Sequence, residues 1–197
     1  MAAGRQCEFD KDLALDSAME LFWRDGYNGT SLSDLTANMG INKPSLYAAF
    51  GNKEALFISA INQYVHKHGS PHFNLLHTPN ASLKRRLQNY LKSIAKMLTD
   101  PKLPGGCFVT TSTCEARSHC LPPDALQTIK KINEASTKAF FDFFASEEQQ
   151  GNLTSTSSPD VLASYLLTLQ YGLAVMARNG TKKNVLDKVI DHSISIF

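Results

Sequence analysis

The 197-residue chain lacks the features that would send it to a membrane or an oxidising compartment. No apolar run approaches the roughly 20 residues that would cross a bilayer, and Met1–Cys7 has no apolar core of the signal-peptide kind. The expected compartment is therefore the cytoplasm, with no membrane partner, and the Asn-x-Ser/Thr triplets at Asn28, Asn80, Asn152 and Asn179 read as chance. Only four cysteines occur, Cys7, Cys107, Cys114 and Cys120, so reduced thiols rather than a disulfide framework are expected. With no Cys-x-x-Cys and no compact His pair, no metal or cofactor is expected either. A surplus of one charge is missing too: the net charge is +2, and residues 1–60 carry five basic against eight acidic side chains. Any nucleic-acid contact from this half must rest on a few placed cations and backbone amides, not on a broad basic field.

Alternating strand pairs and internal repeats are also absent, and what remains is helical periodicity. Leu13, Ala14, Ser17, Ala18, Leu21 and Phe22 recur at intervals of three, four and seven, predicting a helix from about Phe9 to Gly26 with that stripe inward. Thr30 or Ser31 starts a second helix, and Ser31 with Asp34 approximates a capping box. Gly40 stops it, Ile41 is a buried spacer, and Asn42-Lys43-Pro44 opens a third helix that ends near Phe50. Asn52 caps a fourth, Lys53 to about Lys67, which Gly69-Ser70-Pro71 terminates. Leu83, Leu87, Leu91, Ile94 and Leu98 define a fifth. The β-branched run makes the sixth segment, Cys107 to about Arg117, ambiguous between helix and strand.

A seventh helix starts at Pro122-Pro123-Asp124 with Leu126, Ile129, Phe140 and Phe144 among its periodic residues. The eighth starts at Pro159-Asp160, with Leu162, Tyr165, Leu166, Leu169, Leu173 and Met176 inward, and the ninth runs from Lys182 to about Ile196. The predicted class is all-α with about nine helices. An N-terminal three-helix unit over residues 1–55 precedes a helical unit over residues 56–197.

Within Ser33–Phe50 the small Thr36 lies four positions before Gly40, and the apolar Leu46 six after it. A small side chain lets two helices cross closely, Gly takes the positive φ of the turn, and an apolar residue anchors the second helix. This is helix-turn-helix spacing. The stretch Phe22-Trp23-Arg24-Asp25-Gly26-Tyr27-Asn28-Gly29-Thr30-Ser31-Leu32, followed by Gly40-Ile41-Asn42-Lys43-Pro44-Ser45-Leu46-Tyr47 and on to Phe57, resembles the TetR family of repressors. The nine-helix layout fits that family throughout.

The resemblance implies a DNA-binding regulator, not an enzyme. It implies a homodimer that joins through the eighth and ninth helices and places the third helix of each subunit in the major groove of a near-palindromic double-stranded DNA operator. The two recognition helices would stand about 34 to 36 Å apart. Carried over by position, Lys43, Ser45 and Tyr47 reach base edges or phosphates, while Thr30, Ser31 and Lys53 grip the backbone. Each has a plainer reading: Thr30 or Ser31 caps the second helix, Ser45 satisfies the start of the third, and Tyr47 packs on Phe50. One departure is the N-terminal arm, where Gly4-Arg5-Gln6-Cys7 keeps a single Arg in place of a basic run.

The resemblance also implies an effector pocket among helices four to eight, and repression relieved by a small-molecule effector or by cysteine modification. Gly105-Gly106-Cys107 resembles the glycine-cysteine opening of the sixth helix in several TetR relatives. A thiolate on Cys107 would be stabilised there by the free amides and the positive helix end; a role as a small buried apolar residue stays open. Tyr64, Phe108, Thr111, Phe140, Phe144 and Tyr165 are candidate lining for an apolar effector, or plain core. Cys114, His119 and Cys120 offer soft ligands without a metal-site spacing, and His66, His68, His72 and His77 read as a solvated helix end. Two other classes stay open. An enzyme using Cys107 as nucleophile lacks an oriented His, and a helical scaffold would bind only protein.

Overall fold

The computed structural model describes residues 9–117, 121–153 and 157–197. Nine helices and a few tighter or wider turns, with no strand, make up the described residues. The helices are α1 (Lys11–Gly29), α2 (Leu32–Met39), α3 (Lys43–Phe50), α4 (Lys53–Tyr64), α5 (Leu83–Leu98), α6 (Phe108–Arg117), α7 (Pro123–Gln149), α8 (Pro159–Arg178) and α9 (Lys183–Ser193). The ambiguous sixth segment is thus helical. Its hydroxyls fit a helix by donating back one turn, Thr111 to the Cys107 carbonyl and Thr113 to that of Val109.

Short polar side chains start the N-terminal helices where expected. Asp10 accepts the amides of Asp12 and Leu13, Asn42 that of Ser45, and Asn52 that of Ala55. Ser31 and Asp34 complete a reciprocal capping box, Ser31 Oγ accepting from Asp34 N at 3.1 Å and Asp34 Oδ2 from Ser31 N at 2.9 Å.

Helix α1 is two helical pieces joined at Gly26, whose φ of 74° and ψ of 177° belong to a backbone region open only to glycine. A Cβ there would also lie 2.1 Å from Glu115 Oε1. The second irregularity lies after α4. Gly69-Ser70-Pro71 does not terminate the helical path; a π turn over Val65–Gly69 carries it into a further turn, Ser70–Phe73. The amide of Ser70 bonds to the Val65 carbonyl, five residues back, and Pro71 enters in the first turn of the next segment, where its missing N–H costs nothing.

The apolar side chains form two clusters. The first gathers Ala18, Phe22 and Trp23 of α1, Leu35, Leu46 and Phe50 of α2 and α3, Leu56, Phe57 and Ile61 of α4, and also Phe108, Ala125 and Ile129. The second joins α5, the latter part of α7, α8 and α9. Packing therefore does not divide at residue 55; α4 and the starts of α6 and α7 share the N-terminal core. Three side chains read as inward lie elsewhere. Leu13 is 65% exposed, because the buried stripe runs through Ala14, about 100° around the helix. Leu126 is exposed on α7, and Ile41 is only half-buried.

Helix α8 corrects a further expectation, for its 20 residues contain an 18-residue window of mean hydropathy 1.3, long and apolar enough to cross a membrane by length and composition. Here it packs against α5 and α7 instead, with Leu162, Leu166 and Leu173 in the second cluster. That cluster encloses one ion pair. Arg86 of α5 meets Glu147 of α7 through Nη1–Oε1 at 2.8 Å and Nη2–Oε2 at 2.5 Å, and the guanidinium also donates to the carbonyls of Leu76 and Ala81. The Arg86 hydrogen bonds hold the Glu147 carboxyl below its ordinary value.

Urea denaturation of four variants tests the glycine turns and the buried ion pair. Gly26→Ala is expected to destabilise by about 3 kcal/mol or more, combining the forbidden backbone with displacement of Glu115. Gly40→Ala, in the milder left-handed region with open space around it, is expected to cost about 1 to 2 kcal/mol. Glu147→Ala strands the buried guanidinium and is expected to cost about 3 to 5 kcal/mol, while Arg86→Met with Glu147→Leu costs much less.

Candidate nucleic-acid interface and the cavity behind it

Gly40 takes φ 66° and ψ 27° between α2 and α3. Its amide and that of Ile41 turn back to the carbonyls of Ala37 and Thr36. Leu35 and Leu46 are fully buried beneath the turn, which fixes α3 against α2. Lys43, Pro44, Tyr47 and Ala48 are therefore left outward on one face, Tyr47 at 47% exposure, and Ser45 is half-buried with its amide held by Asn42. Helix α3 holds one cation and no carboxylate.

The acidic surplus of this half is engaged elsewhere. Asp16 binds Lys67 at 2.6 Å and also Gln63; Asp25 pairs with Arg24; Asp10 and Asp34 cap helices. Glu54 accepts the amides of Asp124 and Ala125 at the start of α7. The remaining backbone-gripping candidates fall in different places. Ser31 is exposed at the start of α2. Thr30 is buried and its hydroxyl donates to the Gly26 carbonyl at 2.7 Å, so its side chain serves the fold. Lys53 Nζ lies 4.2 Å above the Tyr27 ring, where burial lowers its pKa and the Glu115 charge opposes that shift. Lys11 is an exposed cation that sequence reasoning missed. Its Nζ is 5.2 Å from the Phe50 ring at the end of α3, a contact with no local sequence signal.

Behind α4 lies a cavity of about 530 Å³ bounded by the π turn, α5, α6, α7 and α8. Of the candidate lining, Tyr64, Cys107 and Phe140 are on its wall. The others are not. Phe108 points into the N-terminal core, edge-on to Phe57 and Tyr64. Thr111 turns its hydroxyl to the Cys107 carbonyl, and Thr110 faces the cavity instead. Phe144 stacks on Phe197, and the Tyr165 hydroxyl donates to the Ser193 carbonyl. Helix α7 is 27 residues long, and the cavity meets only Ile132–Phe140, so equal spacing does not bring Phe144 to the wall.

Polar groups missed at the sequence level complete the wall. Gln170 Nε2 donates to Tyr90 Oη at 2.7 Å, and Asn133 Nδ2 to Thr113 Oγ1 at 3.0 Å. Gln170 had a usable signal, being the one side-chain amide of the apolar α8. No Asp, Glu, Lys or Arg lines the cavity among the described residues. Cys107 precedes the first residue of α6 and is half-buried, whereas Cys114 is exposed; Cys7, His119 and Cys120 lie outside the described residues. Around Cys107, burial first and then the nearby sulfur push the Tyr64 and Tyr171 phenols up, and burial raises Tyr90 against the Gln170 hydrogen bond. All three phenols keep their protons.

The histidines are not a uniformly solvated helix end. His66 and His77 are exposed, but the π turn brings His68 half-inside, against Trp23 and Tyr64, and His72 Nδ1 lies 2.6 Å from Ser93 Oγ. Burial, then the Lys67 charge, lowers the pKa of His68 against Asp16 and Glu20; burial likewise lowers His72.

A three-helix head with a Gly turn, carried on a helical body that holds a cavity, defines a helix-turn-helix regulator. The family described as "Bacterial regulatory proteins, tetR family" matches residues 14–60. The HTH-type transcriptional repressor ComR of Escherichia coli is 30% identical over 98% of this chain and 91% of its own length. The HTH-type regulator YezE of Bacillus subtilis is 29% identical over 98% and 99%. A cysteine-substituted CifR, solved in complex with 26-bp double-strand operator DNA, superposes with a TM-score of 0.86 at 29% identity, covering 98% of this chain and 100% of that one. The chain belongs to the TetR family and is a DNA-binding transcriptional regulator, not an enzyme.

The depressed values of His68 and His72 set a pH dependence. Each binds its proton less readily folded than unfolded, so stability is full above the unfolded value near 6.5 and falls as pH drops below it. Urea midpoints measured from pH 7.5 to 5 are expected to fall, and less steeply in His68→Phe.

Proposed function

We propose that this chain is a repressor that binds a near-palindromic double-stranded operator as a homodimer in the cytoplasm and releases it when its cavity is occupied or Cys107 is modified. The observation that carries the reading is the outward face of α3, with Lys43 and Tyr47 free of any carboxylate on that helix, on a fold that matches a protein solved on operator DNA. Lys43, Ser45 and Tyr47 read the groove; Ser31, the first amides of α2 and Lys53 hold the backbone. Thr30 acts through the turn it fixes. Residues 1–55 are the reading unit and residues 56–197 the sensing and dimerising unit, although the two share a core.

Dimerisation through α8 and α9 is supported by what those helices leave uncovered. Val161, Thr168, Gly172 and Val175 of α8 and Val185 of α9 are exposed, whereas Leu186, Ile190 and Ile194 belong to the subunit's own core. A symmetric pair would cover the exposed set and present two recognition helices to successive turns of one DNA face.

The lining of the cavity supports a reading of the effector's chemistry. An ion there would lose its hydration with no opposite charge among the described lining, at a cost that disfavours it strongly. The effector is therefore an uncharged, largely apolar molecule. Phe140 and Tyr64 supply dispersion, and Gln170 and Asn133 meet its polar group. Cys107 stands on the same wall, so its modification would occupy the same space.

Footprinting of the region upstream of the gene, with and without a thiol oxidant, tests the reading; failure to protect any site under reducing conditions at modest salt would sink it. On the operator so found, fluorescence anisotropy is expected to show Lys43→Ala weakening binding by about 5- to 100-fold, a loss of about 1 to 3 kcal/mol. Glu148→Ala, remote from α3, is expected to leave binding unchanged.

A further inference from the structure

The break at Gly26 leaves backbone groups of α1 without helical partners, and two side chains from distant parts of the chain satisfy them. Arg178, the last residue of α8, donates from Nη1 to the Trp23 carbonyl at 2.9 Å and from Nη2 to the Arg24 carbonyl at 2.5 Å. Glu115 of α6 accepts the amide of Tyr27 at 3.2 Å. A cation thus closes the carbonyl end of the first helical piece, and an anion meets the amide beyond the break, the placement that the helix dipole favours.

Neither residue lines the cavity, but each stands on a helix that does. Arg178 lies so close to Gly106 that a Cβ there would meet Arg178 Cβ at 3.1 Å and the Ala174 carbonyl at 3.2 Å. Ala174 and Cys107, the residue after Gly106, both line the cavity. Glu115 stands on the helix that begins just after Cys107. On the DNA side, α1 packs against α2, and Tyr27 carries Lys53 over its ring. A displacement of α6 or of the end of α8 would therefore carry with it the carboxylate or the guanidinium that meets α1.

We propose that Arg178 and Glu115 form the lock through which the state of the cavity reaches the recognition helix. The proposal rests on the reading that the cavity governs operator binding. Neither residue touches DNA in this scheme; both act by positioning α1, and through it α2 and α3.

Linkage makes the lock testable without knowing the effector: a cavity whose state changes operator binding is itself biased by bound operator, and the reactivity of Cys107 on its wall reports that bias. The probe is N-ethylmaleimide, with alkylation of the Cys107 peptide followed by mass spectrometry on the full-length protein, with and without saturating operator fragment. Operator is expected to slow Cys107 alkylation at least about fivefold in the wild type. In Arg178→Met the slowing is expected to fall below about twofold, while operator affinity in reducing buffer stays within about threefold of wild type. Arg178→Lys, one ammonium in place of a fork, is expected to restore part of the slowing. Glu115→Gln keeps the shape and removes the charge; it is expected to weaken the linkage, and it decides the matter if Arg178→Met melts below the assay temperature.

Wild-type linkage in both Arg178→Met and Glu115→Gln overturns the lock and leaves the cavity reading intact. A folded Arg178→Met that no longer binds operator also overturns it, making Arg178 a strut of the reading unit. If the wild type binds operator without slowing at Cys107, the cavity reading falls and takes the lock with it.

Discussion

A helix that must bend sharply at a fixed point has to satisfy the backbone groups released by the bend, and that constraint at Gly26 organises the rest of the molecule. The combination of φ 74° and ψ 177° is open to glycine alone, and a side chain there would also have to displace the Glu115 carboxylate 2.1 Å away. Around this point converge the end of α8, the middle of α6 and the start of α4. The first apolar cluster follows the same logic: Phe22 and Trp23, just before the bend, pack on Phe57 and Tyr64 of α4, and Phe57 in turn on Phe108 of α6. Head and body are thus one continuous packing unit, joined by polar clamps where the backbone opens and by stacked rings where it does not.

What was legible in the sequence was local. Caps work over three residues, so Ser31, Asn42 and Asn52 announce their helices directly, and Thr36, Gly40 and Leu46 announce the turn. Contacts over long separations carry no such mark. Nothing near Arg178 in the sequence points to Trp23, and nothing near Lys11 points to Phe50. The cavity was half legible for a related reason: periodicity gives the face of a helix but not how far along it a neighbour extends. Tyr64 and Phe140 reach the wall, while Phe144, one helical turn past Phe140, stacks on Phe197. The ends of α8 were legible in Pro159-Asp160 and Asn179-Gly180, but its membrane-spanning apolarity was not, because small residues such as Ala163, Ala174 and Ala177 separate the large apolar side chains while keeping the mean hydropathy high.

The acidic balance of the first 60 residues, awkward for a protein that meets DNA, is explained in large part by carboxylates that the fold itself uses. Asp16 joins α1 to the π turn, Glu54 joins α4 to α7, and Asp10 and Asp34 close helix ends. These acids serve folding, which leaves the short α3 with a lone cation and an aromatic ring at its surface. Net charge is a poor guide where half the charges are structural.

The π turn at Val65–Gly69 has a consequence for how such a protein can change. Relative to a regular helix it holds one extra residue, and every side chain beyond it is rotated by about 100°. His68 lies within the turn, between Trp23 and the cavity, and His72, beyond it, contacts Ser93. A single-codon insertion or deletion here would exchange the side chains offered to the cavity and, with them, the Lys67 and His68 contacts to Asp16 and Trp23 of α1. The shape and polarity of the cavity wall can therefore drift by changes of register only as far as the tie between this turn and α1 permits, so the two ends of the molecule constrain each other's evolution.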